Sequence, residues 1–466
     1  MEKPKYNKEI NMFKYLDIIA YVFLINLSLY LVLKAKFSSN ISIQKTNIYL
    51  WMSTITTLLE TIFFHIYGLF SLSEKTFKDS IYSLALSIIL INTLIWFITL
   101  FDRNFIYAKN IFLILAIYQY FILSIWTIFS WKVQEKLSPI KNLMIIGGKD
   151  EVENIIGKLT KEKNNNINIK YICNNIEVLE DYIDEIDEIV VCSNILDEYK
   201  ELIINQSINY NKEIYIVPKI YDIVMTNSRL KEFDDMPVLK IDSLSIPFGK
   251  RIVKRLCDII ISSIFIIVLS PIMLIVSIII KNYDKGPILY KQERVTNGNR
   301  EFKVYKFRTM VVDAEKMTGP VLATDKDPRI TPVGRVLRST RLDELPQLFN
   351  VLKGDMSIVG PRPERAYFIK EFTKEMPEFK YRTAVKAGIT GLAQVLGKYT
   401  TTPEDKLRYD LMYIKNYSLF LDFKILVQTL KVVFIKESSQ GVVKDKEKVF
   451  RKLDIEGLDS SGIVKF

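Results

Sequence analysis

An acidic pair, Asp343-Glu344, follows two arginines in the run Arg338-Ser339-Thr340-Arg341-Leu342-Asp343-Glu344. Adjacent carboxylates at a helix start project ~100° apart, so one can face a phosphorus atom while its neighbour holds a divalent cation. Guanidinium forks bind phosphate oxygens bidentately and remove the repulsion that an anionic nucleophile meets at an anionic phosphate. The combination suits phosphoryl chemistry, in which a carboxylate attacks phosphorus and splits one displacement into two. Shortly afterwards, Gly360-Pro361-Arg362-Pro363 fixes a turn that presents Arg362 with little conformational freedom to lose on binding phosphate. Taken singly, each piece has a plainer reading, as a dipole-stabilising surface pair or a solvated loop. His65 is the only histidine, which excludes Ser-His-Asp hydrolases and multi-histidine metal sites.

The elements around these residues follow from pattern. Leu342, Leu345, Phe349 and Leu352 recur at helical spacing, and Thr340 with Asp343 resembles a capping box, which predicts that the acidic pair lies in a first helical turn. Pro346 should bend that helix at once. Upstream, Ile288–Val295 and Glu301–Phe307 read as a hairpin about Asn297-Gly298.

The chain has 466 residues, 49% hydrophobic and 25% charged, room for about three domains and too apolar for an ordinary soluble enzyme. Four apolar stretches, Tyr15–Leu33, Ile48–Phe70, Ile81–Leu100 and Ile111–Phe129, approach the ~20 residues a bilayer requires and predict a four-helix transmembrane bundle over residues 1–137. The first stretch lacks a cleavage-site pattern, so it reads as a retained span. Lysines are more numerous on the side of both bundle ends, which places those ends in the cytoplasm. Glu60 and His65 in the second stretch offer either a proton or substrate relay or a helix–helix polar contact. The three cysteines lack C-x-x-C spacing, so neither a disulfide framework nor a thiolate zinc site is expected, and the soluble parts face a reducing cytosol.

Beyond the bundle, Asn142–Ile146, Ile169–Cys173, Glu188–Cys192 and Glu213–Val217 read as strands alternating with helices, hence a parallel sheet with crossovers over residues 138–247. This Rossmann-like α/β domain carries Gly147-Gly148-Lys149-Asp150-Glu151 after its first strand. A dinucleotide site wants a third glycine and an acidic residue after the second strand. Asn174 stands there instead, so the domain reads as degenerate, with a structural or self-association role.

Next, Lys250, Arg251, Lys254 and Arg255 precede the apolar run Leu256–Ile280, a cluster suited to an anionic leaflet. Ser270-Pro271 lies near the middle of that run, where proline removes a helical hydrogen bond and forces a bend. A complete crossing would put the acidic pair outside the cell; a re-entrant helix over 256–280 returns it to the cytoplasm.

These pieces together resemble the bacterial sugar transferase family. The resemblance rests on the basic residues before the Ser270-Pro271 break, Lys306-Phe307-Arg308-Thr309-Met310, Arg338 with Asp343-Glu344, Gly360-Pro361-Arg362-Pro363, and Gly388-Ile389-Thr390-Gly391-Leu392-Ala393-Gln394. It covers roughly residues 248–436, and the bundle plus the α/β domain looks like the family's long form. Members are monotopic phosphoglycosyl transferases, or polyprenyl-phosphate sugar-1-phosphate transferases.

What the resemblance implies is a two-step exchange at the cytoplasmic face of the bacterial inner membrane. Asp343 attacks a UDP-sugar and releases UMP; polyprenyl phosphate then takes the phosphosugar. Glu344 would hold Mg²⁺, and Arg338, Arg341, Arg362, Lys306 and Arg308 would bind phosphate or substrate. Ala387 and Lys398 depart from the family's proline and arginine. Asp410, Tyr413, Lys415 and Asn416 match a family segment in which helix packing is at least as good a reading as substrate contact.

The expected architecture is thus a multidomain membrane protein: the four-helix bundle, the α/β domain, a mostly helical α/β catalytic domain over residues 248–440 anchored by the re-entrant helix, and a tail over 441–466 with little fixed structure. UDP-sugar, polyprenyl phosphate and membrane lipids are the expected partners, in a homodimer that initiates exopolysaccharide or capsule assembly. The net charge of +11 has a nucleic-acid reading, but no basic stripe interleaved with aromatics supports it. The alternative class is a membrane sensor or scaffold in which the acidic pair is structural.

Overall fold

A computed structural model describes residues 3–37, 43–99, 111–160, 166–174, 179–312, 314, 327–398, 401–434 and 463–465. The chain divides into two compact units, one ending at Val217 and taking in the C-terminal strand, the other starting at Pro218.

In the first unit, α1 (Lys3–Phe37), α2 (Ile43–Ile66), α3 (Phe77–Thr99) and α4 (Ile111–Leu137) form the bundle. Tyr21, Phe64, Leu84 and Leu123 are buried between them. Among the described residues, α1, α3 and α4 are long and apolar enough to cross a membrane, as is the helix Phe248–Asp284 of the second unit; the described side chains of α2 are apolar over Leu50–Ile66, and α2 ends at Ile66. The second predicted span therefore stops short of Phe70. Gly68 takes φ +65, and the bonds Gly68 N to His65 O and Leu69 N to Phe64 O close a Schellman motif. Two polar pairs lie inside: Asp17 accepts from Trp126 Nε1 at 2.7 Å, and Asn92 Nδ2 donates to Gln119 at 2.8 Å, whereas both carboxylate oxygens of buried Glu60 make no hydrogen bond among the described residues. The relay reading of Glu60 and His65 fails on geometry. Five residues apart on a helix, they point to different faces, Glu60 buried and His65 exposed.

The same unit holds β1 (Lys141–Ile146), β2 (Ile167–Cys173), β3 (Glu188–Val191) and β4 (Glu213–Ile216), a parallel sheet in the order β2-β1-β3-β4. All four lie where alternation of apolar runs and helical patterns places them. A Cβ on Gly147 would fall 2.2 Å from Cys192 Sγ, so glycine is required where the ends of β1 and β3 converge. Glu151 accepts from Ser193 N at 2.8 Å and Ser193 Oγ at 2.7 Å, which seats an internal carboxylate at the carboxyl end of the sheet. Ile463–Lys465 adds an antiparallel strand to β2. Part of the predicted unstructured tail is thus a strand, because the edge of β2 offers unpaired amides and carbonyls; residues 441–462 lie outside the described residues.

The second unit includes residues 218–247, which pattern assigns to the α/β domain. Ile223 and Ile246 are buried in its core with Leu407, Leu411 and Ile425, and Arg408 Nε donates to Pro218 O at 2.9 Å. Within that stretch β5 (Arg229–Phe233) and β6 (Met236–Lys240) form an isolated hairpin. The predicted hairpin β7 (Leu289–Val295) and β8 (Glu301–Phe307) is present, with Gly298 and Asn299 in the left-handed region at its turn. Two short parallel strands, β9 (Ser357–Val359) and β10 (Gly388–Thr390), lie at the centre of the unit.

The helix Phe248–Asp284 runs without interruption through Pro271, so the expected break at Ser270-Pro271 does not end it; Ser270 Oγ donates to Ile267 O at 2.8 Å. Both ends of the helix pack on the unit that follows. Near its start, Lys254 pairs with Asp422 at 2.7 Å, Arg255 donates to the carbonyls of Val351 and Leu352 at 2.6 and 2.8 Å, and Asp258 accepts from Ser357 Oγ and Ile358 N, both at 3.1 Å. The basic cluster read as lipid-facing is therefore largely engaged within the protein. Near its end, Val276 and Ile280 pack with Phe307 and Leu337. Between these anchors Ile264, Ile267, Val268 and Leu274 are exposed.

Candidate active site

Four elements deliver the charged side chains: the helix Pro332–Ser339, the turn Leu342–Glu344, β8 and the turn that carries Arg362. Thr331 caps the helix Pro332–Ser339 by accepting from Gly334 N at 2.9 Å, with Pro332 at the position where its missing N–H costs nothing. A Cβ on Gly334 would stand 2.0 Å from Thr309 O, so the helix lies directly on the end of β8. Arg338 at its last turn donates from Nε to Thr309 Oγ1 at 2.9 Å.

The next residues differ from the expected capped helix. Thr340 Oγ1 donates back to Val336 O at 2.8 Å and is the end of the preceding helix, not the start of the next. Arg341 takes φ 58, the left-handed conformation, and reverses the chain into a single 3₁₀ turn, Leu342–Glu344. Pro346 does not bend a helix; it precedes a fresh one, Gln347–Lys353. The apolar repeat is real but serves anchoring, since Leu342 and Leu345 pack against the cluster of Val276, Ile280, Phe307 and Leu337. The acidic pair is thereby pinned beside the C-terminal half of the long helix.

The two carboxylates meet different surroundings. Glu344 Oε1 accepts from Lys306 Nζ on β8 at 2.8 Å and from Arg362 Nη2 at 2.9 Å. Burial alone would raise its pKa, but the Lys306 ammonium and the Arg362 guanidinium overcome that and hold it well below the usual carboxylate range. Asp343 is only 8% exposed. Burial, then repulsion from Glu344, pushes it up to about 6 against the pull of Lys306, Arg338 and Arg362. One carboxylate is a fixed anion, and its neighbour is a desolvated one of raised basicity.

Of the residues expected at the site, Asp343, Glu344, Lys306, Arg338 and Arg362 converge, and Arg341 adds its charge to those that keep Glu344 ionised. Arg308 does not join them as expected. It is buried in an ion pair with Asp284, tying the end of the long helix to the residue after β8, and a Cβ on Gly286 would strike its guanidinium. Thr309, Asp258 and Asp284 were not singled out by pattern, since their roles depend on contacts across the fold.

A divalent cation fits this donor set in one way. Both protein cations bond to Glu344 Oε1, which leaves Oε2 for a metal, and Mg²⁺ needs only one or two carboxylates when phosphates and water complete its shell. Among the described residues no cluster of three or more His, Cys, Asp or Glu gathers to hold a metal by protein ligands alone.

Residues 249–436 match the model of the bacterial sugar transferase family, a span that contains every one of these side chains. A Bacillus subtilis protein named as a putative undecaprenyl-phosphate N-acetylgalactosaminyl 1-phosphate transferase is 50% identical over 130 residues, 28% of this chain and 72% of that protein. The chain belongs to the bacterial sugar transferase family. It is also 46% identical over 184 residues, 39% of the chain and 43% of the relative, to the UDP-N-acetylgalactosamine-undecaprenyl-phosphate N-acetylgalactosaminephosphotransferase of Aeromonas hydrophila. Against the UDP-glucose:undecaprenyl-phosphate glucose-1-phosphate transferase of Klebsiella pneumoniae the identity is 36% over 260 residues, 54% of the chain and 56% of the relative. The chain spans about half the length of these two relatives. Sugars differ among the names of these family members.

Proposed function

We propose that the protein transfers sugar 1-phosphate from a UDP-sugar to polyprenyl phosphate, undecaprenyl phosphate in the names of its relatives, and so begins exopolysaccharide or capsule assembly. The observation that carries this reading is the unequal carboxylate pair on the Leu342–Glu344 turn, set among Lys306, Arg338 and Arg362.

In the first step a carboxylate oxygen of Asp343 attacks the phosphorus that bears the sugar. The bond from that phosphorus to the UMP oxygen breaks, and UMP leaves with the electron pair. Desolvation supports this role, because a buried carboxylate is less stabilised by water than an exposed one and more basic. In the second step an oxygen of polyprenyl phosphate attacks the same phosphorus, the bond to Asp343 breaks, and polyprenyl-diphosphate sugar departs with the carboxylate regenerated. Arg338, Arg341 and Arg362 hold phosphate oxygens, and Lys306 keeps Glu344 ionised and oriented. Glu344 would hold Mg²⁺, which when bound neutralises charge on the diphosphate.

The helix Phe248–Asp284 supports a re-entrant anchor. Its two ends pack on one folded unit while apolar side chains from Leu256 to Ile279 stay exposed along it, which favours a helix that bends in lipid at Ser270-Pro271 and leaves the bilayer on the face it entered. The catalytic unit then lies on the cytoplasmic face of the inner membrane, where UDP-sugars are available. The isolated hairpin of β5 and β6 exposes Leu230, Phe233, Met236 and Leu239, which supports a homodimer, since a two-stranded hairpin is marginal alone.

The test is incubation of the full chain in lipid nanodiscs with a panel of UDP-sugars, Mg²⁺ and polyprenyl phosphate. UMP release that disappears in Asp343→Asn is the expected result. Undiminished release in that variant removes the assigned nucleophile, and no release with any UDP-sugar favours a scaffold.

A further inference from the structure

Arg362 reaches Glu344 from a turn whose own backbone is gripped from behind. Arg382 Nη2 donates to the carbonyl of Arg362 at 3.1 Å and lies 2.9 Å from Asp410 Oδ2. Both members of that pair are buried, at 4% and 1% exposure. Glu364, two residues past Arg362, stands between Arg382 at 3.7 Å and Arg294 at 3.6 Å, and Arg294 Nη1 donates to Pro363 O at 3.2 Å. The other side of the turn is held by backbone: Gly360 N donates to Thr390 O, and Gly388 N to Pro361 O, both at 2.8 Å. The peptide is so close there that a Cβ on Gly360 would come within 2.5 Å of Lys386 O.

A buried ion pair is a poor source of stability, because desolvating two charges costs several kcal/mol per ion and an apolar pair of similar volume does as well. Burial indeed pushes Asp410 up to about 6 in spite of Arg382 beside it. What an apolar pair cannot do is donate to the carbonyl of Arg362. Asp410 Oδ2 meets the same Nη2 that bonds the carbonyl of Arg362, as an ion pair without hydrogen-bond geometry, so its charge draws the buried guanidinium to that carbonyl and restrains the turn from which the Arg362 side chain leaves.

We propose that Arg382, oriented by Asp410, is a positioning residue that aims Arg362 at the diphosphate of the donor; this rests on the transfer reading above. The helix segment Pro403–Lys415 that carries Asp410 thereby contributes to donor binding without reaching the donor.

The decisive measurement is a cycle on the full chain in nanodiscs: wild type, Arg382→Lys, Arg362→Ala and the double variant, with UMP release as readout. Arg382→Lys keeps the charge and loses the fork, and it should lower kcat/KM by ~10- to 100-fold, mainly through KM for the UDP-sugar. In the Arg362→Ala background the same change should cost less than about twofold, since nothing is left to aim. Asp410→Asn should behave in the same way. Equal fold-losses in both backgrounds, or no loss in either, overturn the proposal. A second readout is independent of turnover: amide exchange over residues 356–366 should speed up in Arg382→Lys while β7 and β8 stay unchanged, and unchanged exchange over 356–366 refutes the grip. Absence of UMP release from wild type with every UDP-sugar removes the transfer reading and the donor from this proposal, whereas exchange alone decides whether Arg382 holds the turn.

Discussion

Replacing Asp343 by asparagine should abolish turnover and at the same time stabilise the catalytic unit at neutral pH. The carboxyl is pushed up to about 6 from its ordinary 3.8, first by burial and then by Glu344. Below about pH 4 it is protonated in both folded and unfolded chains, so wild type and variant should be equally stable. As pH rises from 4 through 6 the unfolded chain releases a proton that the folded chain keeps, and wild type loses stability; the loss is complete above that window. The displacement from 3.8 to about 6 corresponds to at most ~3 kcal/mol, and relaxation around a charge coupled to its neighbour lowers the expectation to ~1–3 kcal/mol. For a unit of this size that is a rise in Tm of roughly 2–10 °C. Trp51, Trp96, Trp126 and Trp131, the only tryptophans, all lie in the bundle, so tryptophan fluorescence would report the wrong unit. Amide exchange of peptides from β7, β8 and β9, followed from pH 4 to 8 with correction for intrinsic rates, reads the right one. A variant no more stable than wild type at pH 7.5, or a gap that does not vary with pH, would refute the idea that Asp343 is a desolvated, repelled carboxylate.

Three other outcomes follow from the same geometry. Single-turnover UMP release should show an ascending limb near pH 6 with unit slope, because only ionised Asp343 attacks; a flat profile between pH 5 and 7 would exclude it as the titrating nucleophile. Lys254→Ala should destabilise the catalytic unit by ~3–5 kcal/mol, since Asp422 is left charged and buried, whereas the double change Lys254→Met with Asp422→Leu should be close to neutral in denaturant titrations. Cysteines introduced at Lys250 and Lys285 should both react with an impermeant maleimide from the cytoplasmic side; protection of one alone means that the long helix crosses.

The pieces of this site that lie close in sequence were legible before any fold was known. Alternating apolar runs located β1 to β4, Asn297-Gly298 located the hairpin turn, and arginines beside an acidic pair indicated phosphate chemistry, because each depends on local backbone preference or on side-chain type. Whatever depends on which surface a residue meets was not legible. The Thr340 and Asp343 spacing that mimics a capping box gives way to a 3₁₀ turn once Leu342 and Leu345 bury against the long helix. Arg308 and Arg362 are chemically identical, yet one closes on Asp284 inside the fold and the other on Glu344 at the site.

Sequence alone thus determined the inventory: two carboxylates, the cations around them, an apolar helix to carry them to a membrane, and a parallel α/β sheet. Only tertiary structure decided how charge is shared among them. Lys306 and Arg362, 56 positions apart in the chain, both bond one oxygen of Glu344 and leave Asp343 buried without either bond, so neighbouring acids acquire opposite proton affinities. The physical reason is that composition specifies a group's intrinsic pKa, while burial and distance to other charges, which come from folding, set the shift.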